Sequence, residues 1–308
     1  MPSPNDRSGA PAMVMDQAAG LRTLKPALPV RVIAVTSGKG GVGKTSVSVN
    51  LAVAMAQAGK KVMLLDGDLG LANIDVMLGL QPSYNLAHVL EGKCTLEETL
   101  LRGPAGVMVV PASSGKRHMA ELSPLQNAGL VQAFSELSCP LDVLIVDTAA
   151  GIADSVITFS QASQEVIVVV SGDPTSLTDA YALIKVLNRG KGVDRVQVLV
   201  NAVRDAKEAK EVYDNLRRVA ERFLDITLNF IGWIPADDWL KRAVKRQRAV
   251  VDLYPNCAAS EAFRQLAKQT DTLGIPKGAR GNLEFFVERL IQQRSQSSGT
   301  ETPLMVGA

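Results

Sequence analysis

Short runs of consecutive apolar residues, rich in Val, Ile and Leu, alternate with helical patterns along most of this chain. The apolar runs predict strands at Arg31–Thr36, Lys61–Asp66, Val107–Val110, Leu141–Asp147, Glu165–Ser171, Arg195–Asn201 and Leu228–Ile231. Helical spacing predicts helices at Val47–Ala58, Leu125–Leu137, Ser176–Asn188 and Ala206–Phe223. This alternation is typical of a mostly parallel sheet covered by helices on both faces. We therefore expect an α/β fold with about seven or eight strands.

The two ends of the chain depart from this alternation. Residues 1–29 begin with a stretch rich in Pro, Ser, Gly and Ala, which predicts a flexible segment, but residues 13–24 within it have helical spacing. Residues 283–292 carry a second amphipathic helical pattern, and the polar tail 294–308 is expected to be disordered. The predicted organisation is therefore a flexible N-terminal segment, one domain over residues 30–293 and a disordered tail.

Composition narrows the classes of protein that fit this pattern. Of the 308 residues, 46% are hydrophobic and 4% are aromatic, as expected for a parallel-sheet core of small aliphatic side chains. The net charge of +2 gives no reason of its own to expect nucleic-acid binding. Cys94, Cys139 and Cys257 are scattered, which is typical of free thiols. No apolar stretch is long enough to span a bilayer, so we expect a cytoplasmic protein.

A phosphate-binding loop is predicted directly after the first strand. Ser37–Thr45 reads Ser-Gly-Lys-Gly-Gly-Val-Gly-Lys-Thr and contains the pattern Gly-x4-Gly-Lys-Thr. In such a loop the glycine N–H groups surround a triphosphate, Lys44 reaches the β- and γ-phosphate oxygens, and the Thr45 hydroxyl binds Mg²⁺. The predicted nucleotide-binding residues of the loop are Gly38, Lys39, Gly40, Gly41, Val42, Gly43, Lys44, Thr45 and Ser46.

A second lysine, Lys39, stands at the start of the loop. This position is badly placed for the nucleotide of its own chain and well placed to reach a nucleotide bound by a partner subunit. The loop therefore predicts a dimer that forms in the presence of ATP.

Two further predicted strands end in carboxylates at the same edge of the sheet. We expect Asp147 to hold Mg²⁺ through water and Asp68 to orient the water that attacks the γ-phosphate. Asp66 either pairs with a lysine of the loop when no nucleotide is bound or caps the next segment, and both alternatives stay open. Gly151 either senses the γ-phosphate through its N–H, as part of a switch, or is a plain turn glycine.

These motifs together resemble those of the deviant Walker A ATPases, the MinD/ParA family of P-loop NTPases. The resemblance implies a homodimer in which Lys39 contacts the nucleotide of the other subunit. It also implies weak, Mg²⁺-dependent hydrolysis of ATP to ADP and phosphate, with Lys39, Lys44 and Asp68 as catalytic residues. Asn201 and Pro235 match positions at which members of the family frame the adenine.

Within that family the chain is similar to the FlhG/FleN group, which are MinD-like regulators of flagellar number and placement. The similarity rests on segments that include 66–80, 147–152, 174–185 and 245–250. It implies contacts with an FlhF-type GTPase, a FleQ-like flagellar master transcription activator and flagellar switch components. The N-terminal residues that match the GTPase-activating element of the group are Asp16, Gln17, Ala18, Leu21 and Arg22.

The alternative function is division-site placement or partitioning of DNA or other cargo by an ATPase of the same family. Such a protein would need a basic membrane anchor or a stronger DNA-binding charge. Residues 241–248 are basic, but they read equally well as the solvated face of a helix, so direct DNA binding is not expected.

Two further features concern membrane docking and iron–sulfur chemistry. In residues 283–292, Glu284 and Glu288 oppose Arg289. This segment either packs on the core of its own chain or docks weakly on a membrane or cell pole in the ATP state. An iron–sulfur scaffold on the same fold is not expected, because position 154 is Asp and Cys257 stands alone.

Overall fold

The computed structural model describes residues 30–68, 73–112, 132–134, 136–137, 139–189 and 193–273. Its strands are β1 (Arg31–Ser37), β2 (Val62–Gly67), β3 (Leu101–Arg102), β4 (Met108–Val110), β5 (Val143–Ala150), β6 (Glu165–Val170), β7 (Arg195–Val203) and β8 (Thr227–Pro235). Its helices are α1 (Lys44–Gln57), α2 (Ile74–Leu78), α3 (Leu86–Leu90), α4 (Leu96–Thr99), α5 (Asp154–Ala162), α6 (Pro174–Arg189), α7 (Ala206–Phe223), α8 (Asp238–Lys245), α9 (Val250–Leu253) and α10 (Ala258–Thr272).

The eight strands form one sheet in the order β3-β4-β2-β5-β1-β6-β7-β8. Every neighbouring pair is parallel except β3 and β4, which are antiparallel. The predicted mostly parallel α/β fold is therefore confirmed, and every predicted strand is present. The sequence pattern did not reveal β3, because its two residues at the sheet edge are too few to show a period.

Apolar side chains pack on both faces of the sheet. Along β1, Ile33 and Val35 belong to the cluster beneath α1 and α10, whereas Val32 belongs to a cluster on the opposite face. This alternation follows from the two-residue period of a strand. On the face of Val32, a further cluster joins α6 and α7 to β6, β7 and β8. Helices therefore cover both faces, as predicted.

Helix α1 is buried on nearly every side. Its residues from Val47 to Met55 are buried between the sheet and α10, which is typical of a helix inside a core. Asn50 fixes it further, because its Nδ2 donates to the Ser46 carbonyl (2.8 Å) and its Oδ1 accepts the Val250 N–H of α9 (2.7 Å). The helix begins at Lys44 rather than at the predicted Val47, since its polar first turn hid the apolar period.

The order of the strands places the phosphate loop at the centre of one sheet edge. Strand β1 lies between β5 and β6, so the chain order along the sheet changes direction at β1. Open α/β sheets bind ligands at such a point, outside the carboxyl ends of the strands. The loop follows β1 there, and Asp147 of β5 lies in register with Val35 of β1. The fold thus brings the loop and this carboxylate together.

Several predictions lie outside the described residues. They are the segment 1–29 with its helix 13–24, the amphipathic segment 283–292, the tail 294–308 and most of the helix Leu125–Leu137, of which residues 132–134 are helical. Helices α2, α3, α4 and α9 were not predicted, because four or five residues are too few to show helical spacing. The prediction also missed two longer helices, α5 with nine residues and α10 with fifteen. In the ranges that the structure describes, no helix is long and apolar enough to cross a membrane.

Candidate nucleotide-binding site

The phosphate loop connects β1 to α1 and turns on glycines. Gly41 and Gly43 have φ angles of 81° and 89°, in the left-handed region that glycine adopts without strain. A Cβ atom on Gly43 would collide with the side chain of Asn201, and one on Gly38 would collide with the α6 backbone at Asp179. The predicted loop residues from 38 to 46 therefore lie in one tight turn and the first turn of α1.

Lys44 and Asp147 form a buried ion pair beneath this loop. Lys44 Nζ lies 2.9 Å from Asp147 Oδ1, and the two side chains are 8% and 0% exposed. The Ser48 hydroxyl donates to the same oxygen over 2.7 Å. The lysine that was predicted to contact phosphate is therefore neutralised by the carboxylate that was predicted to hold Mg²⁺. A buried charge without such a partner would be costly.

Five buried side-chain polar atoms have no hydrogen-bond partner in the described part of the chain, and three of them belong to predicted site residues, namely Asp147 Oδ2, Ser46 Oγ and Asn201 Oδ1. The other two are Thr36 Oγ1 of β1, next to the loop, and Ser160 Oγ of α5. Buried polar groups are nearly always hydrogen-bonded, so unsatisfied atoms clustered at one sheet edge indicate a site for a polar ligand. Asn201 is itself anchored, because its Nδ2 donates to the Val42 carbonyl over 2.8 Å. Its amide therefore braces the loop and presents an acceptor beside it.

These residues fit a nucleotide with Mg²⁺. Mg²⁺ keeps several waters and takes few protein oxygens besides those of phosphate. Thr45 in the first turn of α1 and the unsatisfied Asp147 oxygen form such a small donor set. Across the described ranges, no group of three or more His, Cys, Asp or Glu side chains is placed to hold a metal by itself.

Lys39 lies at the rim of the site and is 40% exposed. Its Nζ donates to Asp173 Oδ2 over 2.5 Å and also to the Thr175 hydroxyl, both in the segment between β6 and the first turn of α6. The hydrogen bonds from Lys39 and Thr175 lower the pKa of Asp173 to about 2. The lysine that was predicted to reach a partner subunit is thus bound within its own chain in this structure.

Asp66 caps the segment that follows β2. It is 1% exposed, and its oxygens accept the backbone N–H groups of Asp68 (3.1 Å), Asn73 (2.9 Å) and Ile74 (3.2 Å). Burial raises the pKa of its carboxyl to about 7, and the nearby charge of Asp147 adds to this rise, while the N–H groups oppose it.

The sequence left open whether Asp66 pairs with a lysine of the loop or caps the next segment. In the structure Lys44 pairs with Asp147, and Lys39 pairs with Asp173. The contacts of Asp66 in this conformation are those of the capping alternative, and its pairing with a lysine of the loop stays a prediction. The physical reason is that the N–H groups of the next segment already satisfy the Asp66 oxygens.

Asp68 and Gly151 flank the site. Asp68 follows the last residue of β2 and donates its N–H to Asp66. Gly151 follows β5 with a φ of 93°, and its N–H donates to the Ser37 carbonyl over 2.9 Å. The turn alternative explains why this residue is a glycine, and sensing of γ-phosphate would require its bond to Ser37 to break. The roles of both residues stay predictions.

Asn201 and Pro235, the predicted adenine contacts, lie near each other. They stand close to the ends of the paired strands β7 and β8, where Asn201 is in register with Ile234, the neighbour of Pro235. Strand β8 runs to Pro235, beyond the predicted Leu228–Ile231. The residues predicted to activate a partner, from Asp16 to Arg22, lie outside the described residues.

Sequence reasoning missed Ser48, Asp173 and Thr175. Ser48 follows Lys44 by four residues and so shares its helix face, and this spacing is a signal that could have identified it. For Asp173 and Thr175 no local signal exists, because they lie 134 and 136 residues from Lys39 along the chain.

The fold and the site define a P-loop nucleotide-binding protein. A family model described as "ParA: NUBPL iron-transfer P-loop NTPase" matches residues 30–271. The antiactivator FleN of Pseudomonas aeruginosa is 56% identical over 270 residues, which cover 88% of this chain and 96% of that protein. The chain therefore belongs to the ParA/MinD family of P-loop NTPases and, within it, to the FleN group.

Two further comparisons agree with this assignment. The flagellum site-determining protein YlxH of Helicobacter pylori is 34% identical over 269 residues, which cover 85% of this chain and 90% of that protein. Among solved structures, the septum site-determining protein MinD complexed with Mg-ADP from Pyrococcus horikoshii superposes with a TM-score of 0.64 and 25% identity. That comparison covers 79% of this chain and 96% of the MinD chain.

The description of the family model mentions iron transfer. In this chain Cys94, Cys139 and Cys257 are free thiols. Burial raises the pKa of Cys94 and Cys139, which makes the thiolate form that binds metal less favourable. The expectation that this chain is not an iron–sulfur scaffold stays a prediction.

Proposed function

We propose that the chain is a weak, Mg²⁺-dependent ATPase that acts as an ATP-dependent dimerisation switch and controls flagellar number and placement. The single observation that carries the enzymatic part is the buried Lys44–Asp147 pair beneath the phosphate loop, with one unsatisfied carboxylate oxygen. The flagellar part is supported by the similarity to an antiactivator FleN and to a flagellum site-determining protein.

Nucleotide binding begins with an exchange of partners at Lys44. The ammonium group leaves Asp147 and binds the β- and γ-phosphate oxygens, which the N–H groups of the glycine-rich loop also contact. Beside the loop, the Asn201 acceptor that has no partner among the described residues is suited to the exocyclic amine of adenine. Guanine presents a carbonyl at that position, so Asn201 favours ATP over GTP. Pro235 supplies an apolar contact for the base.

Hydrolysis depends on positioning and on charge. Asp68 orients the attacking water, and Lys44 stabilises the charge that develops on the phosphate. Thr45 and Asp147 would hold Mg²⁺, which supplies further neutralisation of charge on the phosphate oxygens.

Dimerisation requires Lys39 to change partners. In this proposal its ammonium group leaves Asp173 and Thr175 and contacts the nucleotide of the second subunit. An exposed ion pair is weak, so the exchange is easily driven by a triphosphate, which carries more negative charge than one carboxylate. ATP therefore favours the dimer, and hydrolysis returns the chain to the monomer.

In the proposed organisation, the N-terminal segment and the ATP-bound dimer bind different partners. In this proposal the N-terminal segment 1–29 stimulates an FlhF-type GTPase through Asp16, Gln17, Ala18, Leu21 and Arg22. The ATP-bound dimer of the domain 30–293 binds a FleQ-like transcription activator and flagellar switch components. The proposed location is the cytoplasm, with weak docking at the membrane or cell pole in the ATP state as the alternative.

The test is the solution mass of an Asp68→Ala variant with ATP and Mg²⁺, and again with ADP. We expect a dimer with ATP and a monomer with ADP, because the variant binds ATP and cannot turn it over. A Lys39→Ala variant on the same background is the matched control, and it should bind ATP as a monomer. A monomer of Asp68→Ala in both nucleotides would contradict the dimerisation switch.

The flagellar role has a separate test in cells that lack the native gene. Wild-type protein should restore the normal number of flagella per cell, counted by electron microscopy, and Lys39→Ala should fail to do so. A change in the position of the division septum instead of the flagella would favour the alternative, division-site placement. DNA-dependent stimulation of the ATPase would favour partitioning.

A further inference from the structure

Asp147 has an asymmetric environment. Its Oδ1 accepts from Lys44 Nζ (2.9 Å) and from Ser48 Oγ (2.7 Å), whereas its Oδ2 has no partner among the described residues. The carboxylate and Ser48 are both fully buried. Ser48 is the one neighbour of Asp147 in this arrangement to which the proposed mechanism gives no role.

The single proton of Ser48 goes to Asp147. The hydroxyl also lies 3.2 Å from the Lys44 carbonyl, but a hydroxyl donates one hydrogen bond. The contact to the carboxylate is shorter, and bonds to an ionised acceptor are stronger than bonds to a neutral carbonyl. Ser48 is therefore a donor to Asp147 rather than a side chain that only bonds back to its own helix.

Nucleotide binding changes which groups donate hydrogen bonds to Asp147. In the proposed mechanism Lys44 leaves Asp147 to bind phosphate, so Oδ1 loses one of its two donors. The Ser48 hydroxyl does not contact phosphate in the proposed mechanism and can remain in place. It then becomes the contact that fixes the orientation of the carboxylate.

We propose that Ser48 is a positioning residue for Mg²⁺, which holds Oδ1 of Asp147 so that Oδ2 stays available to the ion and its water. This inference rests on the proposed nucleotide-binding function and deepens it. Ser48 suits the task because it lies one turn after Lys44 on α1, a helix that Asn50 ties to Ser46 and to α9. Helix α1 thereby connects the phosphate loop at its start to the Asp147 carboxylate, through the hydrogen bond that Ser48 donates.

The test measures equilibrium binding of a fluorescent ATP analogue in EDTA and across a Mg²⁺ titration. For Ser48→Ala we expect unchanged affinity in EDTA and a half-saturating Mg²⁺ concentration raised by about tenfold, which is the scale of one charge-assisted hydrogen bond. A Mg²⁺ response equal to that of the wild type would overturn the proposal. Equal losses of affinity with and without Mg²⁺ would also overturn it, because they would show a general packing role.

Two further variants separate positioning from structure. Ser260→Ala removes a buried serine hydroxyl that donates to the Tyr254 carbonyl (2.8 Å) at α10, and it should leave the Mg²⁺ titration unchanged. In the Asp147→Asn background, adding Ser48→Ala should not raise the half-saturating Mg²⁺ concentration any further, since Ser48 acts through the Asp147 carboxylate of the wild type. A further loss in the double variant would refute this route of action. If the wild-type chain binds no nucleotide at all, the proposed function itself fails.

Discussion

Lys39 Nζ lies 2.5 Å from the Asp173 carboxylate, so the lysine at the start of the phosphate loop is bound to the segment between β6 and α6 of its own chain. This contact competes with any contact of Lys39 with a second subunit. Because Gly38 packs against the backbone of α6 at Asp179, the loop and α6 lie close together and the lysine needs no large motion to reach Asp173.

Removing Asp173 should therefore favour the dimer. In Asp173→Ala, the ATP concentration at half-dimerisation should fall by up to about fivefold, since an exposed ion pair contributes modestly. Sedimentation velocity across an ATP titration measures this change. Asp194→Ala removes another exposed aspartate and serves as the control. A rise in the required ATP concentration would show that Asp173 supports the dimer instead.

The buried carboxyl of Asp66 should make stability depend on pH. Its pKa is raised from 3.8 to about 7 in the folded state, so the folded chain binds more protons than the unfolded chain between these values. The contribution of Asp66 is therefore fully present below about pH 4 and is lost as pH rises toward 7, by at most about 1.4 kcal/mol per pH unit.

An Asp66→Asn variant isolates the pH-dependent contribution of Asp66 to the free energy of unfolding, because asparagine keeps an acceptor oxygen and does not titrate. Urea unfolding at a series of pH values should show that the wild type loses stability relative to the variant between pH 4 and 7. Parallel curves for the two proteins would mean that Asp66 does not titrate in this range.

Lys44→Ala should abolish nucleotide binding and also destabilise the chain. It leaves the Asp147 carboxylate buried with one partner fewer, and removing one member of a buried pair costs about 3 kcal/mol. Adding Asp147→Asn should recover most of the lost free energy of unfolding without restoring binding. Denaturant unfolding and calorimetric titration with ATP measure the two effects separately. If the double variant recovers none of the lost free energy of unfolding, the loss in Lys44→Ala does not come from leaving Asp147 without its partner.

The N-terminal prediction is independent of the ATP site. Deleting residues 1–24 should remove stimulation of an FlhF-type GTPase and leave ATP hydrolysis unchanged, because the residues predicted to bind and hydrolyse ATP all lie between positions 38 and 235. The two activities are measured as phosphate release in separate assays. A double substitution, Asp16→Ala with Arg22→Ala, tests the same element in the full-length chain. Full stimulation by the deleted protein would show that the activating element lies elsewhere.

Local pattern was sufficient for the strands and the loop. The buried strands are short apolar runs, and the phosphate loop requires glycines and a lysine at fixed spacing, so both are visible within a few residues of sequence. The parallel direction of most strands then followed from the alternation of strands and helices, whereas the order of the strands was not predicted. The element boundaries were less accurate, as α1 and β8 show. The polar first turn of α1 hides the apolar period, and in β8 a register shift next to Gly232 interrupts the alternation.

The sequence by itself thus determined the fold class, the phosphate loop and the carboxylates at the strand ends. The tertiary structure alone decided which of these groups pair. Asn201 bonds to Val42 across 159 residues of chain, and Lys44 bonds to Asp147 across 103. Such contacts depend on which strands become neighbours and on which donor satisfies a buried oxygen first. Asp66 is the clearest case, since the N–H groups of the next segment, rather than a lysine, occupy its carboxylate.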